Sequence, residues 1–193
     1  PIGIVGSGNF ELTRRLTIAD GEVSHSGEGI YSGIAVAVAI SATMSGNSSE
    51  QAFEDAKKSI PEDSWTYRSL EKVESVLKQN ALDEIHELTD KLVAAVATHE
   101  YHYADLAPEA ASLALGAVLF GKGDFVKTIR FAVNMGRDAD TIAAMAGAVS
   151  GAMVGYDKIP NHWKDSVQTV QGTCLSFTRG KNPIALADEL VLL

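Results

Sequence analysis

A chain of 193 residues is long enough to bury the core of one domain, so its folding requires neither a disulfide nor a structural metal. Its 16 lysines and arginines against 25 aspartates and glutamates give a net charge of -9, which opposes non-specific binding to nucleic acid or to an anionic membrane surface. No apolar run is long enough to cross a bilayer, and the first residues lack the pattern of a secretory signal, so we expect a cytoplasmic protein.

Apolar residues recur at helical spacing along most of the chain, whereas alternation with a period of two is nearly absent, which predicts an all-α domain. In chain order, the predicted helices cover residues 9–20, 32–44, 48–57, 64–79, 81–98, 108–120, 124–134 and 142–155, and Pro160 and Pro183 punctuate the last two helical segments. No linker, repeat or low-complexity tract interrupts this pattern, so residues 1–193 are predicted to form a single compact multi-helix bundle.

Two of the predicted helices have apolar residues on every side. Ser32 to Met44 is almost entirely small and apolar, which predicts a helix buried at the centre of a helical pack. Ile142 to Gly155 is the second such helix, and its glycines at a spacing of four allow a close backbone approach. The helices over 64–79 and 81–98 carry one apolar face each and are expected on the outside.

Three other features are interpreted as structural. Cys174 lies beside Leu175 and Phe177, which predicts a buried thiol within a helix. Residues 6–8 begin like a dinucleotide fingerprint, but no βαβ pattern follows, so this function is rejected. The two tyrosines and two histidines at residues 99–103 are read as a solvated loop beside the core, although an aromatic ring there is also suited to stacking on adenine.

The acidic segment Gly136-Arg137-Asp138-Ala139-Asp140-Thr141 carries the chemistry. Carboxylates at i and i+2 within a regular helix point to opposite sides, so Asp138 and Asp140 converge on one ion only where the chain is still entering its helix. Gly136 gives the backbone that latitude, and the helix N-terminus favours anionic groups. Two carboxylates and the Thr141 hydroxyl are hard oxygen ligands, suited to Mg²⁺, Mn²⁺ or Ca²⁺. The alternative is that an aspartate merely caps the helix.

A longer pattern around this segment resembles the C-terminal signature of ADP-ribosylglycohydrolases. It comprises Val133 to Ala148, then Gly151-Ala152, Gly155 and Ile159-Pro160. Upstream, three further segments resemble the same family in the expected order: Ser24-His25-Ser26, Tyr31-Ser32-Gly33 and Gly121-Lys122-Gly123-Asp124-Phe125. The likeness covers most of residues 1–163 and implies the all-helical bundle of that family.

By this resemblance, Asp138, Asp140 and Thr141 match the family's C-terminal metal ligands, in a site that holds two Mg²⁺ ions, or Mn²⁺, beside the distal ribose. The family cleaves the bond between the anomeric carbon of that ribose and its acceptor. The implied partner is therefore an ADP-ribosylated protein or a small molecule that contains ADP-ribose.

Four residues are the candidates for substrate binding. His25 resembles the family's histidine near the ribose, with a structural histidine at a helix entry as the alternative. Gly27 and Gly29 allow a close backbone approach to a ligand, although a plain loop explains them as well. Arg137 stands where many members have glycine, and its charge is suited either to contacting a phosphate or to holding the carboxylates.

One departure from the family bears on function. The family's other metal ligands come from a Ser/Thr-Asp-Asp motif near its N-terminus, and these 193 residues contain no such motif. The chain also opens at Pro1 with an apolar, glycine-rich segment, so we expect a fold truncated at its N-terminus that supplies half of a metal site and no general acid or base. Three explanations of the half site stay open: the upstream part was removed, it belongs to another chain, or the protein is a relative that binds without catalysing. Its exposed apolar surface is expected to associate with the preceding segment or with a second copy.

Three functions remain open from the sequence. The first is a metal-dependent hydrolase of ADP-ribosyl bonds. The second is a catalytically inactive helical module that holds an ADP-ribose-like ligand or a partner. The third is a hydrolase of unrelated small glycosides, because a fold does not determine its substrate.

Overall fold

The computed structural model describes residues 1–80, 84–98, 100–101 and 103–191, and within these ranges the chain is helical and contains no strand. The predicted all-α class is therefore confirmed. The α-helices are α1 Ile2–Val5, α2 Phe10–Gly21, α3 Glu28–Met44, α4 Ser49–Lys58, α5 Trp65–Gln79, α6 Ile85–Val96, α7 Ala107–Gly121, α8 Phe125–Asn134, α9 Ala139–Val154, α10 Asn161–Ser166 and α11 Pro183–Leu190. None of these described helices combines the length and hydropathy that a bilayer-spanning segment requires.

The chain separates into two compact units, Pro1–Gly155 and Tyr156–Leu193. The first contains α1 to α9 and the whole of the acidic segment. The second contains α10 and α11. The expectation of a single domain over residues 1–193 stays a prediction.

Local capping signals in the sequence define several helix starts. Ser48 begins α4 with a capping box, in which its Oγ accepts from the Gln51 amide at 3.2 Å and its own amide donates to the Gln51 side chain at 3.0 Å. Asp124 caps α8, and Pro108 lies in the first turn of α7. The predicted helices over 48–57, 108–120 and 124–134 begin at these three residues, because a cap involves only residues within one turn of each other.

The centre of the first unit is formed by α3 and α7. Helix α3 is buried along most of its length, as its apolar sequence predicts. Helix α7 is buried at every position from Pro108 to Val118 and packs against α3, α5, α8 and α9. Its Gly116 allows a close approach to α5, because a Cβ there would lie 2.6 Å from Cγ1 of Val73.

Helix α9 departs from the expectation of an all-round buried helix. Its buried residues lie on one face: Ile142, Ala146, Val149 and Ser150. Ala144 and Ala148 on the other face are exposed. An apolar sequence permits a helix to be buried on all sides, but the number of neighbouring helices determines whether it is. In this unit α7, not α9, is surrounded by helices on all sides.

In the second unit, Cys174 is exposed and lies in an irregular segment between α10 and α11. The prediction of a buried helical thiol is therefore wrong. Its apolar neighbours Leu175 and Phe177 are themselves exposed by 56% and 73%, so they form no core around the thiol.

Helices α4 and α5 are joined by a group of charged side chains around Glu74. The ammonium of Lys57 donates to Oε2 of Glu74 at 2.9 Å and also pairs with Glu54 at 3.0 Å. Lys78 donates to the other oxygen of Glu74. The hydrogen bonds from Lys78 and Lys57 hold the pKa of Glu74 below its ordinary value.

We expect Glu74→Gln to reduce the free energy of unfolding at neutral pH by about 1 kcal/mol or less, because part of this group is exposed to solvent. A carboxylate with a lowered pKa in the folded state contributes stability above its unfolded pKa and loses it as pH falls through the folded pKa. The difference between wild type and variant should therefore shrink as pH falls through and below the ordinary glutamate range.

Urea unfolding at a series of pH values measures this difference. Glu71→Gln, at an exposed position of the same helix, is the control and should change the free energy of unfolding by no more than about 0.5 kcal/mol. A Glu74→Gln effect that stays constant with pH would mean that the ion pairs contribute nothing to stability.

Candidate functional site

The acidic segment forms a sharp turn between α8 and α9. Gly136 and Arg137 both have positive φ angles, 65° and 56°, and Asp138 follows as the N-cap residue of α9. The Asp138 carboxylate accepts no capping hydrogen bond, and Asp140 and Thr141 lie exposed in the first turn. No hydrogen bond or ion pair joins these three side chains to any other residue that the structure describes. Asp138 thus occupies the N-cap position of α9, but its carboxylate does not accept the backbone hydrogen bond of a cap.

This turn borders a cleft of about 430 Å³ in the first unit. Its walls are α3 from Gly29 to Ile40, the first turns of α7 and α9, the end of α2 and the first residues of the chain. Asp138 and Thr141 line the cleft on one side, and Gly29, Ser32 and other residues of α3 line another. The cleft therefore has both hard oxygen donors and apolar wall surface.

The predicted substrate-binding residues are distributed around this cleft. Gly29 lines it, and the His25 ring packs against Gly29, where a Cβ would lie 3.2 Å from Cδ2 of the ring. The Nδ1 atom of His25 is 2.7 Å from the Ser24 hydroxyl, which helps orient the ring. Gly27, with φ 50°, makes the turn into α3 but does not line the cleft, and neither does Asp140. The assigned roles of these residues stay predictions.

Two carboxylates in the cleft wall were not predicted. Asp20 lies at the end of α2, and Asp105 lies in the loop before Pro108. The local signal that could have indicated Asp105 is its position as an acidic residue just before the helix that begins with Ala107-Pro108. Within the described ranges, no group of three or more histidine, cysteine or acidic side chains is arranged to hold a metal.

The donor set at the start of α9 nevertheless suits a hard cation. Asp138, Asp140 and Thr141 supply only oxygen donors, which Mg²⁺ and Mn²⁺ prefer, and their side chains are not engaged by other described residues. Because Mg²⁺ requires about six ligands, three donors are too few. The residues fit the metal as part of a site whose remaining ligands come from elsewhere.

Arg137 is engaged by a buried carboxylate. Its Nε donates to Oε1 of Glu109 at 2.5 Å and its Nη2 donates to Oε2 at 3.1 Å, which is a bidentate pair. Glu109 lies within α7 and is only 1% exposed. The hydrogen bonds to Glu109 raise the pKa of Arg137. Glu109, rather than Asp138 or Asp140, is the carboxylate that Arg137 contacts.

The Glu28 carboxylate connects the start of α3 to the start of α5 through hydrogen bonds. Its Oε1 accepts from the Trp65 amide at 2.7 Å, and its Oε2 accepts from the amide and the hydroxyl of Thr66 at 2.9 and 2.8 Å. The Thr66 hydroxyl also lies 2.9 Å from Oγ of Ser32, which lines the cleft. This contact therefore holds in place the turn of α3 that carries Gly29 and Ser32.

We expect Glu28→Ala to lower the free energy of unfolding by about 2–3 kcal/mol, because it leaves amides at the α5 N-terminus without their charged acceptor. The melting temperature should fall by roughly 4–10 °C, as measured by calorimetry. Glu11→Ala is the control, since Glu11 also lies in the first turn of its helix but is exposed. Equal effects of the two variants would contradict the assigned role of Glu28.

Of the predicted cluster at residues 99–103, Tyr101 and Tyr103 are exposed, with ring centroids 5.7 Å apart. His99 and His102 lie outside the described residues. Neither tyrosine lines the cleft beside Asp138.

The fold and the site together define an all-helical protein in which one helix N-terminus presents hard oxygen donors beside a cleft. The sequence model of the ADP-ribosylglycohydrolase family matches residues 1–192, and the chain belongs to this family. The resemblance inferred from the motifs is confirmed.

The relatives match over different extents. An uncharacterized protein from Archaeoglobus fulgidus is 30% identical over 87% of this chain and 50% of its own length. ADP-ribosylhydrolase ARH3 from Homo sapiens is 40% identical over 24% of this chain and 13% of its own length. ADP-ribosylarginine hydrolase Tri1 from Serratia proteamaculans is 43% identical over 23% of this chain and 12% of its own length. The chain thus spans at most half of each of these relatives, and no solved structure matches it.

Proposed function

We propose that the protein carrying this chain is a metal-dependent hydrolase of ADP-ribosyl glycosidic bonds, and that this chain supplies half of its dimetal site. The observation that carries the proposal is the Asp138 carboxylate, which starts α9 without capping it and lines a cleft together with Thr141. Family membership and the names of the human and Serratia relatives support the reaction class.

Asp138, Asp140 and Thr141 are the residues that would hold Mg²⁺ or Mn²⁺. When bound, the metal supplies polarisation of ribose hydroxyls and activation of water for attack at the anomeric carbon. The remaining ligands must come from a Ser/Thr-Asp-Asp segment, carried by the same protein or by another chain. Association with that segment or with a second copy is supported by exposed apolar side chains such as Val5 and Met44, which are 44% and 42% exposed.

The α3 side of the cleft is proposed to bind the substrate's ribose. Gly29 has no side chain, so the ribose can lie close to the backbone of the first turn of α3. His25 packs on Gly29, and the Ser24 hydroxyl leaves its Nε2 atom available to a substrate hydroxyl. Gly27 allows the turn that brings His25 to this position.

A binding module without turnover is the second candidate function. It is favoured by the donor set at the start of α9, whose three oxygen donors are fewer than the roughly six ligands that Mg²⁺ takes. Such a module would bind ADP-ribose or an ADP-ribosylated partner in the same cleft.

Release of ADP-ribose from an ADP-ribosylated protein, measured with Mg²⁺ and with a chelator, tests the proposal on the intact protein. Metal-dependent release supports the hydrolase, and its loss in Asp140→Ala would connect the activity to the acidic turn. Binding of free ADP-ribose without release would overturn the hydrolase in favour of the binding module. Neither binding nor release in folded protein would rule out both functions.

A further inference from the structure

We propose that Arg137 is a positioning residue, whose bidentate pair with Glu109 holds the acidic turn so that Asp138 and Thr141 face the cleft. The inference rests on the proposed metal site and deepens it. It assigns to Arg137 an indirect role in metal binding, in place of direct contact with substrate phosphate.

The backbone conformation at Arg137 requires a compensating interaction. Arg137 has φ 56°, a left-handed conformation that is uncommon for a residue with a side chain, and it directly follows Gly136 with φ 65°. Two successive residues in this region make the chain reverse sharply between α8 and α9. A turn of this kind persists only where surrounding contacts hold it.

The usual local contact is missing at this helix start. A capping aspartate normally fixes the first turn by accepting a backbone hydrogen bond, as Asp124 does at the start of α8. The Asp138 carboxylate accepts none. The tether must therefore come from another residue of the turn, and Arg137 is the neighbour of Asp138 that makes such a contact.

Glu109 provides a rigid attachment point. It lies in α7, the fully enclosed helix of the unit, and is 1% exposed. A buried carboxylate is strongly unfavourable without a paired cation, so Glu109 depends on Arg137 as much as the turn depends on Glu109. A bidentate pair also restricts orientation more than a single hydrogen bond, because the planar guanidinium matches the carboxylate.

The test uses Mn²⁺ as the probe and the intact protein. The double variant Glu109→Gln/Arg137→Gly removes the pair without leaving a buried charge unpaired, and glycine accepts the positive φ. We expect its Mn²⁺ affinity to fall by about 10–100-fold, as found for residues that orient metal ligands. Arg137→Lys, which cannot form the bidentate contact, should give an intermediate loss, and Glu74→Gln, which removes an ion pair on α5, should leave the affinity unchanged.

Amide hydrogen exchange at residues 136–141 of the metal-free protein gives a second readout. It should accelerate in the double variant and in Arg137→Lys but not in Glu74→Gln. If wild-type protein binds no Mn²⁺, the metal part of the proposed function fails, and the exchange rates alone decide whether Arg137 holds the turn. Unchanged exchange in the double variant would overturn the positioning role. Weakened ADP-ribose binding with unchanged Mn²⁺ affinity would overturn it in favour of direct substrate contact.

Discussion

Asp138→Ala is expected to abolish Mn²⁺ binding while leaving the free energy of unfolding of the metal-free protein nearly unchanged. The reason is the contrast between two aspartates at the same position of successive helices. Asp124 caps α8, since its Oδ1 accepts from the Lys127 amide at 2.9 Å. Asp138 begins α9, but its carboxylate accepts no such bond and instead lines the cleft.

The matched control, Asp124→Ala, should show the reverse result. It should lower the free energy of unfolding by about 1 kcal/mol, the usual effect of removing a helix cap. Its Mn²⁺ affinity should remain that of the wild type, because Asp124 does not line the cleft. Titration calorimetry measures the metal affinity and chemical denaturation measures the stability.

Comparing the two variants distinguishes a metal-binding role of Asp138 from a helix-capping role. If Asp138→Ala destabilises the protein as much as Asp124→Ala does and leaves Mn²⁺ binding intact, Asp138 is a structural residue. If both variants lose Mn²⁺ binding, the site depends on the overall packing of α8 and α9 rather than on the Asp138 carboxylate.

Phe131→Ala is expected to have the largest effect on stability. Phe131 is 1% exposed in α8, and its ring stacks on that of Phe120 with centroids 3.9 Å apart. Removing a fully buried aromatic ring from a packed core costs about 3–5 kcal/mol, because apolar contact is lost and a cavity remains. The melting temperature should fall by roughly 10 °C.

Phe177→Ala is the control for this variant. Phe177 is 73% exposed, so its replacement should change the free energy of unfolding by no more than about 0.5 kcal/mol. Both variants are compared by denaturant unfolding. A small effect of Phe131→Ala would mean that the core around α8 refills the cavity or is loosely packed.

Helices α2 to α9 and the position of the acidic segment at a helix start were predictable because their signals are local, whereas α1 at Ile2–Val5 was not among the predicted helices. Ser48 and Asp124 begin helices through contacts with residues three positions ahead. The apolar spacing of α5 likewise reports which face of that helix is buried, with Leu70 and Val73 in the core. The bounds differ by a few residues: α3 begins at Glu28, ahead of the predicted start at Ser32.

The degree of burial was less predictable. The sequences of α7 and α9 are both rich in small apolar residues, yet α7 is enclosed on all sides and α9 on one face. The composition of a helix indicates whether it can be buried on all sides, but not how many other helices surround it. The same limit applies to Cys174, because its apolar neighbours predict a buried thiol, yet they and the thiol are exposed.

The sequence by itself determined the helical class, the family and the oxygen donors at the start of α9, because each depends on residues that are close along the chain. Only the tertiary structure decided that Arg137 pairs with Glu109, 28 residues away, and that Asp20 and Asp105 line the cleft beside Asp138. These contacts join separate helices, and no periodicity or local motif records which helices meet. The acidic turn can therefore be predicted from the sequence, whereas the Arg137–Glu109 pair and the cleft depend on how the helices pack.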